Sequence, residues 1–562
     1  MKQIITGNKM DSINSYLSFT QKCKRLLFVA GLFMVAGTIQ AQENDAELDK
    51  LFTWVTANSP GCVCAVSQNG KLVANKAYGV ADLERSIPLT THSVLDAGSV
   101  VKQFVAAAVL LLVEEGRLSL TEDIHKYIPE LPDYGEKITL DHLLTHTSGI
   151  RDWTGLRPLA EGDPDALTLT LRQRGLNFKP GEEWAYSNSG YVLLKEIVAR
   201  SSGKSFSEFT RKRLFEPLKM MATSYVQDLT GVIKNRALAY KKENDGWKLD
   251  MEIGNDRGGG GALFSTASDL VLWNEALAKN SLGAFVTEKL QQPAKLNNGR
   301  KLGYGRGLMI DTFRRGGNLV WHSGGAAGYS TLLARLPQYN LSLALMCNAD
   351  NGARSALAAR MFDLYLPSSN TGTATQSNQQ PEAVTVDAND KAGLYFNGKT
   401  GQPLRLLVNN KALSLAGVGP LLALSADRFK SRGSSLSFLS GANFEMQFRD
   451  NSQFEIITSE GEKIPFTRAK GFAPTATELA AFAGKFESND LGSVMEIVPE
   501  KESLQMRFFR NPAKSIKLTA VDKDTFMLAM MTVRFQRNKE GVVTGFLYSN
   551  PIVRNIEFTR IN

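Results

Sequence analysis

A serine and a lysine stand three residues apart in Ser99-Val-Val-Lys102, directly before an apolar run over residues 103–113. Residues with this spacing share one face of a helix, and long side chains lean back toward the helix N-terminus. The Lys102 amine can therefore reach the Ser99 hydroxyl. The positive end of the helix dipole favours a developing anion there and disfavours an ammonium ion. Because a serine activated by a lysine is a known nucleophile, the spacing predicts a covalent serine hydrolase.

The same spacing occurs a second time, in Ser201-Ser-Gly-Lys204. This copy follows a predicted helix over residues 191–200, in a serine- and glycine-rich stretch that is typical of a helix C-terminal turn. Its side chains should point apart into solvent. Ser99 instead follows a turn, Asp-Ala-Gly, that can hold a serine at a helix entrance, so the context favours Ser99 as the nucleophile.

Two further polar clusters could complete such a site. In the first, Tyr186 can relay protons if a nearby cation lowers its pKa from about 10, and Asn188 can hold a substrate amide or the lysine. In the second, His322, Gly324 and Gly325 lie on a predicted strand, where glycines let a ligand approach backbone N–H groups. Each cluster alone also fits a structural role, as a core aromatic with a helix cap or as a structural histidine.

Taken in order, Ser-x-x-Lys, Tyr-x-Asn and His-x-Gly resemble the motif set of the beta-lactamase and penicillin-binding-protein serine hydrolases, in particular the class C-like branch. Residues 138–149 (Ile-Thr-Leu-Asp-His-Leu-Leu-Thr-His-Thr-Ser-Gly) and 259–270 (Gly-Gly-Gly-Ala-Leu-Phe-Ser-Thr-Ala-Ser-Asp-Leu) are also similar to stretches typical of that family. The resemblance covers about residues 47–366 and implies the family's α+β fold.

The resemblance implies a role for each residue of the first two motifs. Ser99 attacks a carbonyl carbon and forms an acyl-enzyme, and Lys102 takes the serine proton. Tyr186 relays a proton to the leaving group or activates the hydrolytic water. Asn188 orients Lys102 and the substrate amide. This chemistry requires neither a metal ion nor an organic cofactor.

The third motif carries both an implied role and a departure from the family pattern. His322 supports the tyrosine and the substrate end, while Gly325, next to Gly324, supplies an oxyanion-hole N–H together with that of Ser99. The beta-lactamase form of this motif usually begins with lysine. An imidazole is mostly neutral near pH 7, so the histidine looks more like that of the D-aminopeptidase and esterase-like relatives.

Three functional hypotheses follow. The first is an exported serine hydrolase that acts on D-amino-acid peptides, amides or esters, so that its partner is a small-molecule or short-peptide substrate. The second is a beta-lactamase or peptidoglycan DD-peptidase. The third is a non-catalytic binding or assembly protein of the same fold, against which the intact motif set argues.

The motifs need a scaffold, and the sequence predicts one from strands at both ends of residues 45–366. Two apolar strand runs, 61–67 and 71–79, flank Gln-Asn-Gly, which is a strong hairpin pattern. Four more strand runs and a final helix are predicted at residues 303–310, 319–322, 329–336, 341–347 and 353–366. Helices between distant strands predict an α+β domain with an antiparallel sheet, and the resemblance implies that this sheet and its flanking helices are beta-lactamase/transpeptidase-like.

A linker and an internal duplication follow this domain. Residues 367–388 have linker composition, and the chain then repeats itself over residues 389–469 and 475–562. Gly-Leu-Tyr395 matches Gly-Lys-Phe486, and Ile-Pro-Phe-Thr-Arg468 matches Ile-Glu-Phe-Thr-Arg560. Both copies are rich in short alternating strands, which predicts two small all-β, barrel-like domains.

Residues 1–41 resemble a secretory signal peptide, with a basic segment, an apolar run of about 14 residues and a predicted cleavage after Ala41. The apolar run is shorter than the ~20 residues of a membrane-spanning helix, so we expect a periplasmic or secreted protein with no stable membrane insertion after cleavage. The net charge is +9, to which residues 1–41 contribute five cations and one acid, leaving +5. This mild excess gives no support for nucleic-acid binding.

The remaining cysteines and histidines suggest no metal site. Cys62, Cys64 and Cys347 lie in apolar strand runs, which favours buried free thiols over the disulfide that export would permit. His142 and His146 are four residues apart but lack the glutamate of a zinc protease motif, so they are predicted to be structural. Nothing in the sequence points to a particular oligomeric state.

Overall fold

The computed structural model describes residues 43–250, 261–313, 315–350, 352, 354–367, 386–409, 412–416, 419–431, 444–458 and 461–562. The predicted signal peptide, most of the predicted linker and the first two glycines of the stretch 259–270 lie outside these ranges. Among the described helices, none is both long enough and apolar enough to span a membrane.

The first domain contains thirteen described strands and ten described α-helices. Its strands are β1 Cys62–Gln68, β2 Lys71–Tyr78, β3 Val80–Asp82, β4 Ile87–Pro88, β5 Leu95–Asp96, β6 Ser224–Val226, β7 Tyr240–Glu243, β8 Gly246–Leu249, β9 Ala262–Ser265, β10 Met309–Thr312, β11 Asn318–Ala326, β12 Tyr329–Leu336 and β13 Leu341–Cys347. Its α-helices are α1 (residues 43–50), α2 Val101–Glu114, α3 Leu140–Leu144, α4 Trp153–Leu156, α5 Ala166–Leu171, α6 Asn188–Ser202, α7 Phe206–Thr210, α8 Ala267–Ala278, α9 Ala284–Gln291 and α10 Arg354–Tyr365.

The main sheet is antiparallel, with the strand order β10-β11-β12-β13-β1-β2. Strands from the two ends of the domain therefore meet at the β13–β1 pair, which confirms the predicted α+β architecture. The predicted hairpin joins β1 and β2, where Asn69 (φ 53°) and Gly70 (φ 75°) both adopt the left-handed backbone that a tight two-residue turn needs.

The sheet register corrects the expectation of three free thiols. Cys62 lies directly opposite Cys347 across the β1–β13 pair, and the two form a disulfide although 285 residues separate them in the sequence. A local strand pattern cannot reveal such a pairing, because it depends on which strands become neighbours. Cys64 remains a buried free thiol, and burial raises its pKa to about 12.

The expected strand over residues 303–310 is also mostly wrong, since β10 begins at Met309. Two glycines make the preceding segment irregular and closely packed. A Cβ on Gly305 would lie 2.3 Å from the Leu290 carbonyl oxygen, and one on Gly307 (φ +75°) would lie 2.6 Å from that of Lys102. The segment therefore packs against α9 and α2 instead of extending the sheet.

Helix α2 is the centre of the first domain because its sequence is apolar on all faces, as expected of a fully buried helix. Eleven of its fourteen residues are buried. Helix α2 packs against α6 and α9 on one face of the main sheet, and α8 covers β1 and β13 on the same face. On the opposite face, α10 and the N-terminal helix α1 contribute to a separate apolar cluster with β1 and β13.

Two closed antiparallel barrels follow, as predicted. The first contains β14 Gly393–Asn397, β15 Pro403–Asn409, β16 Ala412–Leu415, β17 Gly419–Ala423, β18 Arg428–Ser431, β19 Phe444–Asp450, β20 Gln453–Thr458 and β21 Lys463–Arg468. Helix α11 Ala476–Ala480 precedes the second, which contains β22 Gly484–Ser488, β23 Ser493–Glu500, β24 Ser503–Phe508, β25 Asn511–Asp522, β26 Thr525–Leu528, β27 Met531–Arg537, β28 Val543–Asn550 and β29 Val553–Ile561.

The barrels close in the same way, which supports their origin by duplication. Tyr395 in the first strand of one pairs with Arg468 in its last strand, and Phe486 pairs with Arg560 in the other. Each arginine also lies over its aromatic partner, with 5.3 Å and 5.2 Å between the guanidinium carbon and the ring centroid.

The second barrel is docked on the first domain by a buried ion pair. Arg151 Nη1 lies 2.7 Å from Asp490 Oδ2, and both side chains are nearly inaccessible to solvent. Arg151 also donates to the carbonyl oxygens of Arg554 and Asn555. Leu156 and Leu159 extend the apolar core of this barrel into the first domain, so the barrel and the domain share one packed interface.

Candidate active site

Ser99 lies in a single 3₁₀ turn, Gly98–Val100, that runs directly into α2. The continuous right-handed backbone places Lys102 one turn further on, and its Nζ lies 3.2 Å from the Ser99 Oγ. The structure thus brings the first predicted pair into hydrogen-bond distance by the geometry that its spacing predicts.

Lys102 is buried, with 3% of its surface exposed, and its Nζ donates to Asn188 Oδ1 at 2.8 Å. Burial lowers the pKa of Lys102 to about 7; the charge of Asp152 opposes this shift and that of Lys195 adds to it. A large fraction of the amine is therefore neutral near pH 7 and able to accept a proton. Desolvation is the largest cause of the lowered pKa.

Asp152 is a site residue that the sequence did not reveal. Its Oδ2 accepts hydrogen bonds from the Asn188 backbone N–H at 2.6 Å and from Asn188 Nδ2 at 3.0 Å, while its Oδ1 accepts from the backbone N–H and hydroxyl of Thr154. Because the amide NH₂ of Asn188 faces this carboxylate, its oxygen must face Lys102. Asp152 thereby orients Asn188, which in turn orients Lys102.

Tyr186 is half-buried beside both members of the pair. The Lys102 Nζ lies 4.7 Å from its ring centroid, and its hydroxyl is hydrogen-bonded to Ser99. The condition that a nearby cation lowers its pKa is not met: burial raises the pKa of Tyr186, and the hydrogen bond to Ser99 only partly opposes this. The phenol is therefore protonated near neutral pH and can serve as a proton donor.

The glycines of the third motif allow β11 to lie against the serine turn. A Cβ on Gly324 would lie 1.9 Å from the Ala97 carbonyl oxygen, and one on Gly98 (φ +53°) would lie 2.6 Å from the Gly325 nitrogen. Side chains are excluded at both places, so the backbone of Gly325 approaches the Ser99 turn closely. This is the arrangement that the predicted oxyanion hole requires.

Arg354, at the start of α10, supports this strand from behind and was not identified from the sequence. Its Nη1 donates to the Gly324 carbonyl oxygen at 2.8 Å and to the Ser330 Oγ at 2.7 Å. The Gly324 carbonyl belongs to the same peptide unit as the Gly325 N–H. A charge-assisted bond to that carbonyl fixes the plane of the peptide whose N–H faces the serine turn.

His322 is buried at the bottom of the site, with a ring centroid 6.3 Å from that of Tyr186. Its Nδ1 lies 2.6 Å from the Ser323 carbonyl oxygen, and its Nε2 lies 3.4 Å from the Tyr304 hydroxyl. Burial, reinforced by the charge of Lys102, lowers the pKa of His322 to about 3. The imidazole is therefore neutral, as the sequence suggested.

The two histidines that were predicted to be structural behave differently. His142 Nδ1 accepts from the Thr139 backbone N–H in a capping box of α3, which is a structural role. His146 reaches the site instead. Its ring centroid lies 4.4 Å from that of Tyr186, and its Nε2 lies 3.1 Å from the Tyr304 hydroxyl.

The cavity above Ser99 has a volume of about 820 Å³ and is lined by residues of two domains. Trp153 and Lys195 line it from the first domain, and Lys514 reaches it from β25 of the second barrel. Within the described ranges, no cluster of His, Cys, Asp and Glu side chains could hold a metal ion.

Comparison of the sequence with models of known protein families gives a result that agrees with the geometry of this site. The family model described as Beta-lactamase matches residues 45–366, which is more than half of the chain. The chain belongs to the beta-lactamase family. Its fold and its relatives within that family identify it as a serine hydrolase.

Relatives of this beta-lactamase-family protein match one domain or nearly the whole chain. Penicillin-binding protein 4* of Bacillus subtilis (strain 168) is 29% identical over 313 residues, which cover 50% of this chain and 67% of that protein. A D-aminopeptidase of Brucella anthropi is 23% identical over 530 residues, which cover 89% of this chain and 95% of that protein. The solved structure of SurE is 19% identical and covers 94% of this chain and 100% of its own, with a TM-score of 0.50. This last likeness concerns the fold alone.

All the residues predicted for the site of this family member converge at one end of α2. Lys102 and Asn188 are hydrogen-bonded to each other, and the Tyr186 hydroxyl is close to Ser99. Gly324 and Gly325 of β11 lie against the turn that contains Ser99. The second Ser-x-x-Lys copy lies elsewhere, at the end of α6, where Lys204 pairs with Glu208 at 3.1 Å. The catalytic roles of the converging residues remain predictions.

Proposed function

We propose that the protein is an exported serine hydrolase that forms an acyl-enzyme at Ser99 and acts on D-amino-acid peptides, amides or esters. The observation that carries this proposal is the set of contacts around one buried amine. Lys102 Nζ lies 3.2 Å from Ser99 Oγ and is held on its other side by Asn188 Oδ1 at 2.8 Å. A neutral, oriented base beside a hydroxyl is the requirement for covalent catalysis by serine.

Acylation begins with the free amine of Lys102. It accepts the Ser99 proton as Oγ attacks the substrate carbonyl carbon, and the carbonyl oxygen becomes an oxyanion that the N–H groups of Ser99 and Gly325 stabilise. When the tetrahedral intermediate collapses, the bond to the leaving amine or alcohol breaks. Tyr186 donates the proton that this leaving group takes, and the ammonium of Lys102 restores the tyrosine proton.

Deacylation repeats these steps with water as the nucleophile. Lys102, which is neutral again after acylation, accepts a proton from water as the water oxygen attacks the ester carbonyl carbon. The ester bond to Ser99 then breaks, and the serine oxygen takes back a proton. The products are a carboxylic acid and the regenerated enzyme.

Two observations favour D-amino-acid substrates. The relative that matches nearly the whole chain, including both barrels, is named a D-aminopeptidase. In addition, His322 is neutral, so it gives no permanent charge for the carboxylate of a beta-lactam or a peptidoglycan stem. The similarity to Penicillin-binding protein 4* supports the second candidate, a beta-lactamase or DD-peptidase.

The second barrel is proposed to limit the length of the substrate. Lys514 lines the cavity, and its Nζ donates to the Pro158 carbonyl oxygen at 3.1 Å, which anchors β25 at the cavity wall. Removing the side chain in Lys514→Ala should raise kcat/KM for tripeptide amides relative to single-residue amides. An unchanged ratio would leave the barrel a purely structural role.

Export is proposed from the leader-like residues 1–41 and is consistent with the Cys62–Cys347 disulfide, since disulfides persist in oxidising compartments. Expression of the full chain in a bacterial host, followed by mass measurement of the periplasmic protein, tests this. An N-terminus at Gln42 is expected. An uncut chain retained in the cytoplasm would contradict export while leaving the hydrolase proposal intact.

A substrate panel on the wild type and Ser99→Ala tests the reaction itself. We expect D-alanine anilide and short nitrophenyl esters to be hydrolysed faster than a chromogenic cephalosporin, and Ser99→Ala to abolish all of these activities. L-alanine anilide serves as the stereochemical control. Faster hydrolysis of the cephalosporin would reverse the ranking of the two candidates.

A further inference from the structure

Three buried side chains form one hydrogen-bonded chain beneath the catalytic residues. The Tyr304 hydroxyl lies between two imidazoles, 3.1 Å from His146 Nε2 and 3.4 Å from His322 Nε2. All three side chains are at most 2% exposed. Because no solvent reaches them, the proton on each nitrogen is determined by its protein partners.

One end of the chain is fixed by a backbone donor. The Ser187 N–H donates to His146 Nδ1 at 3.1 Å, so this nitrogen carries a lone pair. The neutral ring must then bear its proton on Nε2, which donates to the Tyr304 oxygen. With its oxygen accepting from His146, Tyr304 is left to donate its own proton.

The other end is fixed by a backbone acceptor. The Ser323 carbonyl oxygen lies 2.6 Å from His322 Nδ1, and a carbonyl can only accept, so this nitrogen carries the proton. His322 Nε2 is then a lone pair, which suits the donated Tyr304 proton. Two backbone groups at opposite ends therefore impose the same direction on every hydrogen bond between them.

We propose that Tyr304 is a positioning residue that, together with His146, holds His322 as a neutral imidazole with its proton on Nδ1. The inference rests on the proposed function for its kinetic consequence, but the tautomer does not depend on the substrate. Both nitrogens of His322 are occupied by the protein in this arrangement. His322 therefore supports Tyr186 by ring contact and does not donate a proton to substrate.

The arrangement has a physical purpose during acylation. Lys102 becomes an ammonium ion when it takes the Ser99 proton, and its charge acts on both His146 and His322. A second cation in this buried space would oppose that step. When His146 and His322 are both neutral and hydrogen-bonded, the ammonium of Lys102 is the one positive charge among these three side chains.

Tyr191 is the competing partner for the Tyr304 proton, because the two hydroxyls are also within hydrogen-bonding reach of each other. Its ring lies 5.1 Å from that of His146, and its hydroxyl donates to the Leu144 carbonyl oxygen at 2.7 Å, so its oxygen is also an acceptor. If Tyr304 donated to Tyr191, His322 Nε2 would lack a donor, and the tautomer of His322 would not respond to loss of the Tyr304 hydroxyl.

Nuclear magnetic resonance of protein labelled with ¹⁵N-histidine tests the proposal directly, because the chain has only five histidines. Two-bond ¹H–¹⁵N correlations distinguish protonated from unprotonated ring nitrogens, and His322→Asn and His146→Asn assign the signals. We expect His322 with a protonated Nδ1 and His146 with a protonated Nε2. In Tyr304→Phe, the Nε2 shift of His322 should move, because this lone pair loses its hydrogen-bond donor.

Kinetics of Tyr304→Phe provide the second measurement. We expect kcat to fall about tenfold with KM changed less than twofold, which corresponds to the loss of one buried hydrogen bond. Tyr395→Phe is the matched control, because it removes an equally buried hydroxyl that bonds to two carbonyl oxygens in the first barrel. Its kcat should equal that of the wild type.

The two measurements separate the possible failures. A protonated Nε2 on His322 in the wild type, or unchanged His322 shifts in Tyr304→Phe, would overturn the proposal. If kcat fell in Tyr395→Phe as much as in Tyr304→Phe, the kinetic effect would reflect a general loss of stability, and the proposed kinetic role of Tyr304 would be wrong. If the wild type showed no hydrolase activity, the proposed function would fail, while the tautomer result would still decide the role of Tyr304.

Discussion

Two places in this molecule have the same four-residue pattern and very different structures. At the first, Lys102 is buried and its Nζ lies 3.2 Å from the Ser99 Oγ. At the second, Lys204 is exposed and forms an ion pair with Glu208, while the Ser201 hydroxyl is buried and has no hydrogen-bond partner in the part of the chain that the structure describes. The two side chains of the second copy are not brought together.

The difference arises from the position of a glycine, which lies between the serine and the lysine in the second pair and before the serine in the first. Gly203 ends α6 in the left-handed conformation (φ 70°), which turns the backbone before Lys204. Gly98 is also left-handed (φ 53°), but it precedes Ser99, so the helix runs unbroken from the serine to the lysine. A Ser-x-x-Lys pattern becomes a candidate site only when the helix is continuous and a buried environment lowers the lysine pKa.

The largest expected effect comes from removing the two lysine amines. Lys102→Met should lower kcat/KM about 10³-fold, because the substitution removes the general base and keeps an apolar side chain of similar length. Lys204→Met should change it less than twofold. Steady-state hydrolysis of a nitrophenyl ester measures kcat/KM in both variants. Equal losses of kcat/KM in Lys102→Met and Lys204→Met would contradict the assignment of the first pair as the active site.

The next effect separates the two glycines. The left-handed backbone alone should make Gly98→Ala and Gly203→Ala each destabilise the fold by about 1–2 kcal/mol, and the contact described next should add to the loss in Gly98→Ala. Only Gly98→Ala meets backbone, with its Cβ 2.6 Å from the Gly325 nitrogen. Among the described residues beyond its own neighbours and helix turn, none has an atom within 4 Å of a Cβ on Gly203. Displacement of the oxyanion strand should therefore lower kcat about 100-fold in Gly98→Ala alone.

Thermal unfolding and kcat measured on the same preparations check this pair. We expect a loss of stability in both variants and a loss of kcat in Gly98→Ala alone. Gly203→Ala with a kcat as low as that of Gly98→Ala would mean that activity follows stability and not the contact with Gly325.

The smallest effect concerns the pH profile. Since the lysine pKa is about 7 and the neutral amine is the base, kcat/KM should rise with pH and level off above pH 7. The negative charge of Asp152 raises the pKa of Lys102, so Asp152→Asn should move this limb to lower pH. Glu208→Gln, which removes the partner of Lys204, should leave the profile unchanged. A shift of the limb to higher pH in Asp152→Asn would contradict the electrostatic account.

Patterns that act over short stretches were sufficient to predict much of the fold. The apolar run after Lys102 predicts a buried helix because no face of it is polar, and the repeated motifs around Tyr395 and Phe486 predict two equivalent barrels. The resemblance to the beta-lactamase family predicts which motifs converge, whereas the spacing within each motif fixes only its local geometry.

The features that escaped prediction depend on contacts between distant segments. The Cys62–Cys347 disulfide requires knowledge of strand order, and Asp152 has significance only once Asn188 is beside it. The raised pKa of Tyr186 follows from burial by the folded chain, which outweighs the hydrogen bond from Ser99. None of these contacts leaves a pattern in a short stretch of sequence.

Labelling with a fluorophosphonate tests the central claim most directly, because the probe reacts only with an activated serine. After incubation of the full-length protein, intact mass and peptide mapping should show one adduct, on Ser99. Ser99→Ala should show none, and Ser201→Ala should react at the wild-type rate. An adduct that persists in Ser99→Ala, or the absence of any adduct on the folded wild type, would contradict the assignment of Ser99 as the nucleophile.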